Sequence, residues 1–176
     1  PWELLHDQTN GESEPLVTRG ATLTLADNVI RAEAPLRSSP GGALITEVSV
    51  RHDLSSGIGS ADLAVPGLRF NDSLQPTDLS YLALGLVEFA DGTITGRGRF
   101  DWTPDTLDSS GTFRTDDFDF AAPFGPVRGV SGEIVFTDLI NLTTAPSQEL
   151  TIESVNPGIE ALAGRVVYSL ADGETI

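Results

Sequence analysis

Two histidines, His6 and His52, and a tight run of carboxylates at Asp116, Asp117 and Asp119 are the residues of this 176-residue chain best suited by type to acid–base or metal chemistry. Neither histidine stands in a pattern that asks for it. A Ser-His-Asp triad wants a nucleophile elbow, and Gly57-Ile58-Gly59-Ser60 has the wrong spacing. Neither histidine has a helical i, i+4 partner for a metal. His52 sits beside Asp53 on an expected strand, which reads as a surface position. Alternate carboxylates can hold calcium. Counted from Asp117, however, the sixth position is Ala122 rather than Gly, and the twelfth is Arg128 rather than Glu. The cluster reads as a solvated strand face opposite Phe118 and Phe120. Nothing among the 26 acidic residues singles out a pair for glycoside hydrolysis. The sequons at Asn71 and Asn141 are of a kind common by chance. This reading assigns no catalytic residue, no metal and no cofactor.

Composition narrows the field further. All ten basic residues are Arg, and Cys is absent. A disulfide framework, a cysteine-ligated zinc and a thiol nucleophile are excluded. So are a Schiff-base lysine and a phosphate-loop lysine. The net charge of −16 repels phosphate backbones and anionic membrane surfaces, so nucleic acid is not an expected partner. No stretch approaches the roughly 18 apolar residues of a membrane span. The chain starts at Pro1 and lacks Met, so a processed or excised piece of a longer protein is expected, with any anchor lying elsewhere.

The elements that would position any site are strands. From Thr93 to Trp102 every odd position is polar, while the even ones are Ile94, Gly96, Gly98, Phe100 and Trp102. Further strands are expected over Leu44–Leu54, Ile58–Val65, Gly111–Phe120, Gly132–Phe136, Leu150–Val155 and Ile159–Leu170. Val48 and Val50 are expected to share a face with Leu44. Hairpin turns are expected at Asp27-Asn28, Asp91-Gly92 and Asp172-Gly173. Phe113 is odd while Phe118, Phe120 and Phe124 are even, and that change of parity predicts a β-bulge near Asp116-Asp117. One short helix is expected near residues 77–84, capped by Thr77 or Asp78. The whole chain reads as a single all-β module, with Pro35 to Gly42 as the weak candidate for a boundary.

The aromatics carry the most information. Phe100, Trp102, Phe113, Phe118, Phe120, Phe124 and Phe136 have spacings that line one face of consecutive antiparallel strands. Such a face is either the core of a sandwich or a groove for an apolar ligand. Alternation is the same for both and by itself favours the core. Gly96 and Gly98 leave room on it, for a neighbouring ring or for something that is not protein.

One series of segments tips that balance. Phe118-Asp119-Phe120-Ala121-Ala122-Pro123-Phe124-Gly125-Pro126-Val127-Arg128-Gly129-Val130-Ser131-Gly132 runs into Phe136-Thr137-Asp138-Leu139. Leu142 to Gln148 and Ser154-Val155-Asn156-Pro157-Gly158-Ile159 follow. From about Gly85 to Leu170 the chain resembles the YdbH family of AsmA-like bacterial envelope proteins, also labelled a dicarboxylate transport domain. The resemblance implies an elongated, twisted antiparallel meander folded over into a groove of the β-taco type. It implies a non-enzymatic, periplasmic protein, anchored to the inner membrane, that conducts phospholipids toward the outer membrane. Acyl chains would lie on Ile94, Phe100, Trp102, Phe113, Phe118, Phe120, Ile134, Phe136, Leu150 and Ile152. Adjoining β-modules of the same longer chain would be its other partners, and membrane contact would come through parts outside this segment. A dicarboxylate site would need converging arginines. Only Arg97 and Arg99 stand close together, on the polar side of their strand, so that label is the weaker implication.

Overall fold

The computed structural model describes residues 15–39, 41–79, 87–171 and 174–175. The chain runs through β1 (Leu16–Thr18), β2 (Thr22–Ala26), β3 (Val29–Ser38), β4 (Leu44–Asp53) and β5 (Gly59–Phe70). It continues through β6 (Glu88–Trp102), β7 (Leu107–Ala122), β8 (Gly125–Asp138), β9 (Thr143–Thr144), β10 (Gln148–Val155) and β11 (Ala161–Tyr168). β12 (Leu170–Ala171) and β13 (Glu174–Thr175) pair with each other. The first eleven strands form one open antiparallel sheet in the order β1-β3-β4-β5-β6-β7-β8-β10-β11, with β2 beside β3 and β9 beside β8. The protein is therefore all-β, a meander in which nearly every strand pairs with its successor.

Turn chemistry explains one reversal directly. Asp27 and Asn28 both take positive φ, 51° and 59°, and join Ala26 to its partner Val29. That is the two-residue turn whose twist matches a hairpin. β12 and β13 are antiparallel partners, while the expected turn residues Asp172-Gly173 lie outside the described residues. Asp91-Gly92 is not a turn. Both residues lie inside β6, where Asp91 faces Asp119 and Gly92 faces Phe70 and Phe118. The glycine there serves a ring: a β-carbon on Gly92 would stand 2.5 Å from Cδ2 of Phe118.

The bulge expected near Asp116-Asp117 is present, and it is seen from both sides. Between Arg114 and Phe118, β7 has one residue more than β6 offers from Thr95 to Gly92. Between Thr115 and Phe118 it has one more than β8 offers from Gly132 to Val130. The extra residue returns Phe118 to the face that Phe113 occupies. A second slip, between Val65 and Leu68, absorbs Pro66, which has no N–H to give to a ladder. A third lies between Leu36 and Arg37. It places Leu44 opposite Arg37, so Val48 and Val50 share a face without Leu44, and Ile45 packs toward the core instead.

The helix expected near residues 77–84 is, where described, only a 3-10 turn at Pro76–Asp78 that closes at Leu79; residues 80–84 lie outside the described ones. Its N-cap is Gln75, not Thr77 or Asp78. The Gln75 side chain accepts from Ala90 N (2.8 Å) and donates to Ala90 O (2.9 Å), acting as a stand-in strand beside β6. Gln148, at the start of β10, does half of this: it accepts from Val135 N at 2.8 Å, while Val135 O is taken by Ala145 N. Each pairing satisfies a backbone group that the interrupted ladder would leave open.

Candidate functional site

Residues directly opposite each other in an antiparallel pair share a face. The register therefore assigns the sides of this sheet. Trp102 stands between Gly59 and Leu107, Phe100 between Ala61 and Ser109, and Phe113 between Gly96 and Ile134. Phe136 faces Gly111, Phe118 stands between Gly92 and Val130, and Phe120 faces Val127. Ile94 faces Leu68, Leu150 stands between Gly132 and Val166, and Ile152 faces Gly164. All ten residues expected to share one side do so, and Ala32, Val48, Val50 and Leu63 extend it toward β3. Phe124 leaves it. It lies in the turn between β7 and β8 and is exposed.

Glycines on this aromatic face seat rings. The Phe113 ring lies over Gly96, at 2.5 Å from a β-carbon placed there, and Trp102 lies over Gly59. The room expected at Gly96 is thus taken by a neighbouring ring. Edge-on contacts join Phe113 to Phe136 at 6.0 Å and Phe70 to Phe118 at 5.9 Å between centroids. Such pairs add to burial by orienting ring edges at ring faces.

Along the strands the face divides into two stretches. At one end Leu68, Phe70, Leu74, Ala90, Phe118, Val127 and Val130 form a buried cluster, with Ala90 1% and Phe118 9% exposed. Ile94, Phe120, Leu150 and Ile152 pack against it. At the other end Phe100, Trp102, Phe113, Ile134 and Phe136 are only half-buried. Among the described residues no large side chain falls below 2% exposure, and the sheet is open rather than stacked on a second one. The apolar face also reaches both edges without a polar fence. Leu23 and Leu25 on β2 and Leu162 and Val166 on β11 are exposed, Leu23 at 68% and Leu162 at 71%.

The opposite face is polar and laddered with charge. Arg99 binds Asp62 across the strands (2.8 Å) and Asp101 along its own strand (2.7 Å). Those bonds raise the Arg99 guanidinium further above its ordinary value and lower the Asp101 carboxyl. A hollow of about 600 Å³ on this side holds Arg97 and Arg99 together with Glu47 and Asp62. Charges of both signs share it, so the arginines do not converge on an anion.

The residues with chemical potential have structural occupations. His52 is not a surface histidine of the polar side. It lies on the aromatic face and accepts through Nδ1 from Trp102 Nε1 at 3.1 Å, the rings stacked. Asp116 binds Arg114 at 2.6 Å, and Asp119 accepts from Gly129 N at 2.8 Å. The latter bond meets a further slip of the β7–β8 pair, where β8 has one residue more between Val130 and Val127 than β7 has between Phe118 and Phe120, and Gly129 takes φ 60°. Among the described residues no three His, Cys, Asp or Glu side chains group as a metal site, and no helix is long and apolar enough to cross a membrane. Sequence reading missed the knot around Asp138. Its carboxylate accepts from Asn141 Nδ2 (2.7 Å), Ser109 Oγ (2.8 Å) and Ile140 N (2.8 Å). These bonds, led by that of the Asn141 side chain, pull its pKa down to about 2. The only signal for it was the turn-prone composition of Asp138 to Asn141.

Comparison with known proteins accords with this geometry. Neither the search of curated proteins nor that of solved structures returned a match. A family model described as "YdbH-like: Intermembrane phospholipid transport protein YdbH" matches residues 4–175, nearly the whole chain. That family is one of lipid transport rather than of enzymes. An open all-β sheet with an apolar side, matched over this span, places the chain in the YdbH-like family of intermembrane phospholipid transport proteins.

Proposed function

We propose that the aromatic face is a path for phospholipid acyl chains in the bacterial periplasm, and that the chain is a single, non-enzymatic module of a bridge anchored to the inner membrane. One observation carries this reading: in a member of a phospholipid transport family, an apolar face runs from edge to edge of an open sheet and is left half-exposed along Phe100, Trp102, Phe113, Ile134 and Phe136. Each methylene of an acyl chain exposed to water costs about 0.8 kcal/mol. A continuous apolar wall offsets that cost along its length without a strong local trap. The buried cluster around Phe118 and Phe120 would anchor the sheet, and the half-buried stretch would carry the lipid. Exposed Leu23 and Leu162, on the two edge strands, suit continuation of the sheet into adjoining β-modules of a longer chain.

The test is native mass spectrometry of the complete protein, purified without detergent, with lipid extraction in parallel. Co-purified phospholipid that is lost on Phe100→Asp, with the strand signature of circular dichroism intact, supports the path. A lipid-free mass from the folded wild-type protein removes it.

A further inference from the structure

One point of the aromatic face carries no side chain of its own. Gly98 and Gly111 stand opposite each other on β6 and β7, and the space above them is shared by the edge of the Phe113 ring and a side chain from outside the sheet. The Cδ1 of Leu139 comes within 3.1 Å of where a β-carbon of either glycine would stand. Leu139 belongs to no strand. It follows β8 in the connection to β9, and a polar latch holds that connection down. Ser109, buried on β7, donates to Asp138 Oδ1 at 2.8 Å and accepts from Leu139 N at 2.9 Å. Residues 139–142 make no ladder bonds, and the bonds that hold the connection run to the Ser109 and Asp138 side chains. Its tip already shows Ile140 to solvent. An aliphatic side chain from a loop thus occupies a seat made by two glycines, beside the Phe113 ring.

We propose that Leu139 is a resident plug of the acyl path, and that a lipid chain crosses the Gly98–Gly111 seat only when the Asp138–Leu142 connection swings its leucine out. This rests on the aromatic face being an acyl path. An aliphatic chain and the leucine compete for the same contacts, so removing the leucine favours the lipid.

The test uses the complete protein and vesicles of phosphatidylethanolamine doped with a diazirine-acyl phosphatidylethanolamine. Photolabelled peptides are read by mass spectrometry. In the wild-type protein the label falls on the peptide of Phe100 and Trp102. In Leu139→Ala, labelling of the peptides bearing Phe113 and Phe136 rises roughly tenfold, the ratio for a contact of ~1.4 kcal/mol. Ser109→Ala keeps the leucine but cuts the latch and shifts labelling in the same direction. It provides the reading if Leu139→Ala does not fold. Unchanged labelling of those peptides in the folded variants, with the wild-type face labelled, overturns the plug and leaves the path standing. No label on the aromatic face of any folded protein overturns both.

Discussion

Trp102 on β6 reaches His52 on β4 by lying across the intervening strand, because the residue beneath its ring is Gly59. Three strands are thereby tied by one indole. A β-carbon at position 59 would collide with the six-membered part of that ring. Gly59→Ala should lift Trp102 off the face and cost about 1–3 kcal/mol by overpacking. A red shift of Trp102 fluorescence, read in a Trp2→Phe background, together with a lower melting temperature, is the expected result.

The two stretches of the aromatic face should answer differently to a buried charge. Phe118 is nine-tenths buried and packed on Phe70, so Phe118→Asp should unfold the sheet, at a cost above the roughly 3–5 kcal/mol typical of Phe→Ala. Phe100 is half-buried with a small neighbour on each side, Ala61 and Ser109. Phe100→Asp should leave the denaturant midpoint near that of the wild type. Equal loss from both would mean that the face is a uniform core.

The bulge in β7 sets which side Phe118 and Phe120 occupy. Deleting Asp117 alone removes the extra residue, so the strand alternates strictly with both rings still on the aromatic side, and a cooperative unfolding transition should survive. Deleting Asp116 and Asp117 together leaves β7 one residue short and sends both rings toward the polar side, with loss of the cooperative transition as the expected result. A double-deletion variant with wild-type stability would show that residue count does not set the side of these rings.

Gln148, the first residue of β10, closes the ladder of β8 between its pairing with β9 and its pairing with β10. Gln148→Leu keeps an apolar stem but leaves Val135 N–H without its acceptor, at about 1–3 kcal/mol. Faster amide exchange confined to Val135 and its neighbours would distinguish this loss from general loosening.

The knot at Asp138 has a defined acid response. Its carboxyl is depressed in the folded protein, to about 2 against 3.8. Its support of the connection is therefore complete above pH 3.8 and is lost as the pH falls toward 2. Amide exchange at Ile140 and Asn141 should accelerate through that window relative to the rest of β8. In Asp138→Asn the exchange should already be fast at neutral pH.

Much of this fold was legible in sequence because period-two alternation and the two-residue Asp27-Asn28 turn are local. The bulge was legible too, since a change of parity needs an odd residue somewhere between Phe113 and Phe118. Asp91-Gly92 misled because a glycine that seats a ring and a glycine that makes a turn look alike until the partner strand is known. Leu139 and Gln75 were invisible for a related reason. Each acts on a residue far away in the chain, Leu139 on Gly98 and Gln75 on Ala90, and no spacing rule encodes such a meeting. The face itself was readable, but its division into packed and open stretches was not. Alternation reports which side a residue is on, not what lies above it.

The near-sequential strand order has a consequence for how the sheet comes into being. Nearly every strand finds its partner in the segment just before or just after it, so no pairing waits for a distant part of the chain. Loop-closure cost stays small at most steps, the longer connection over residues 71–87 between β5 and β6 apart, and assembly can proceed by successive hairpin addition from whichever end emerges first. A polypeptide that leaves a translocation channel as a thread can thus fold in its order of arrival, each new strand templated on the edge of the one before.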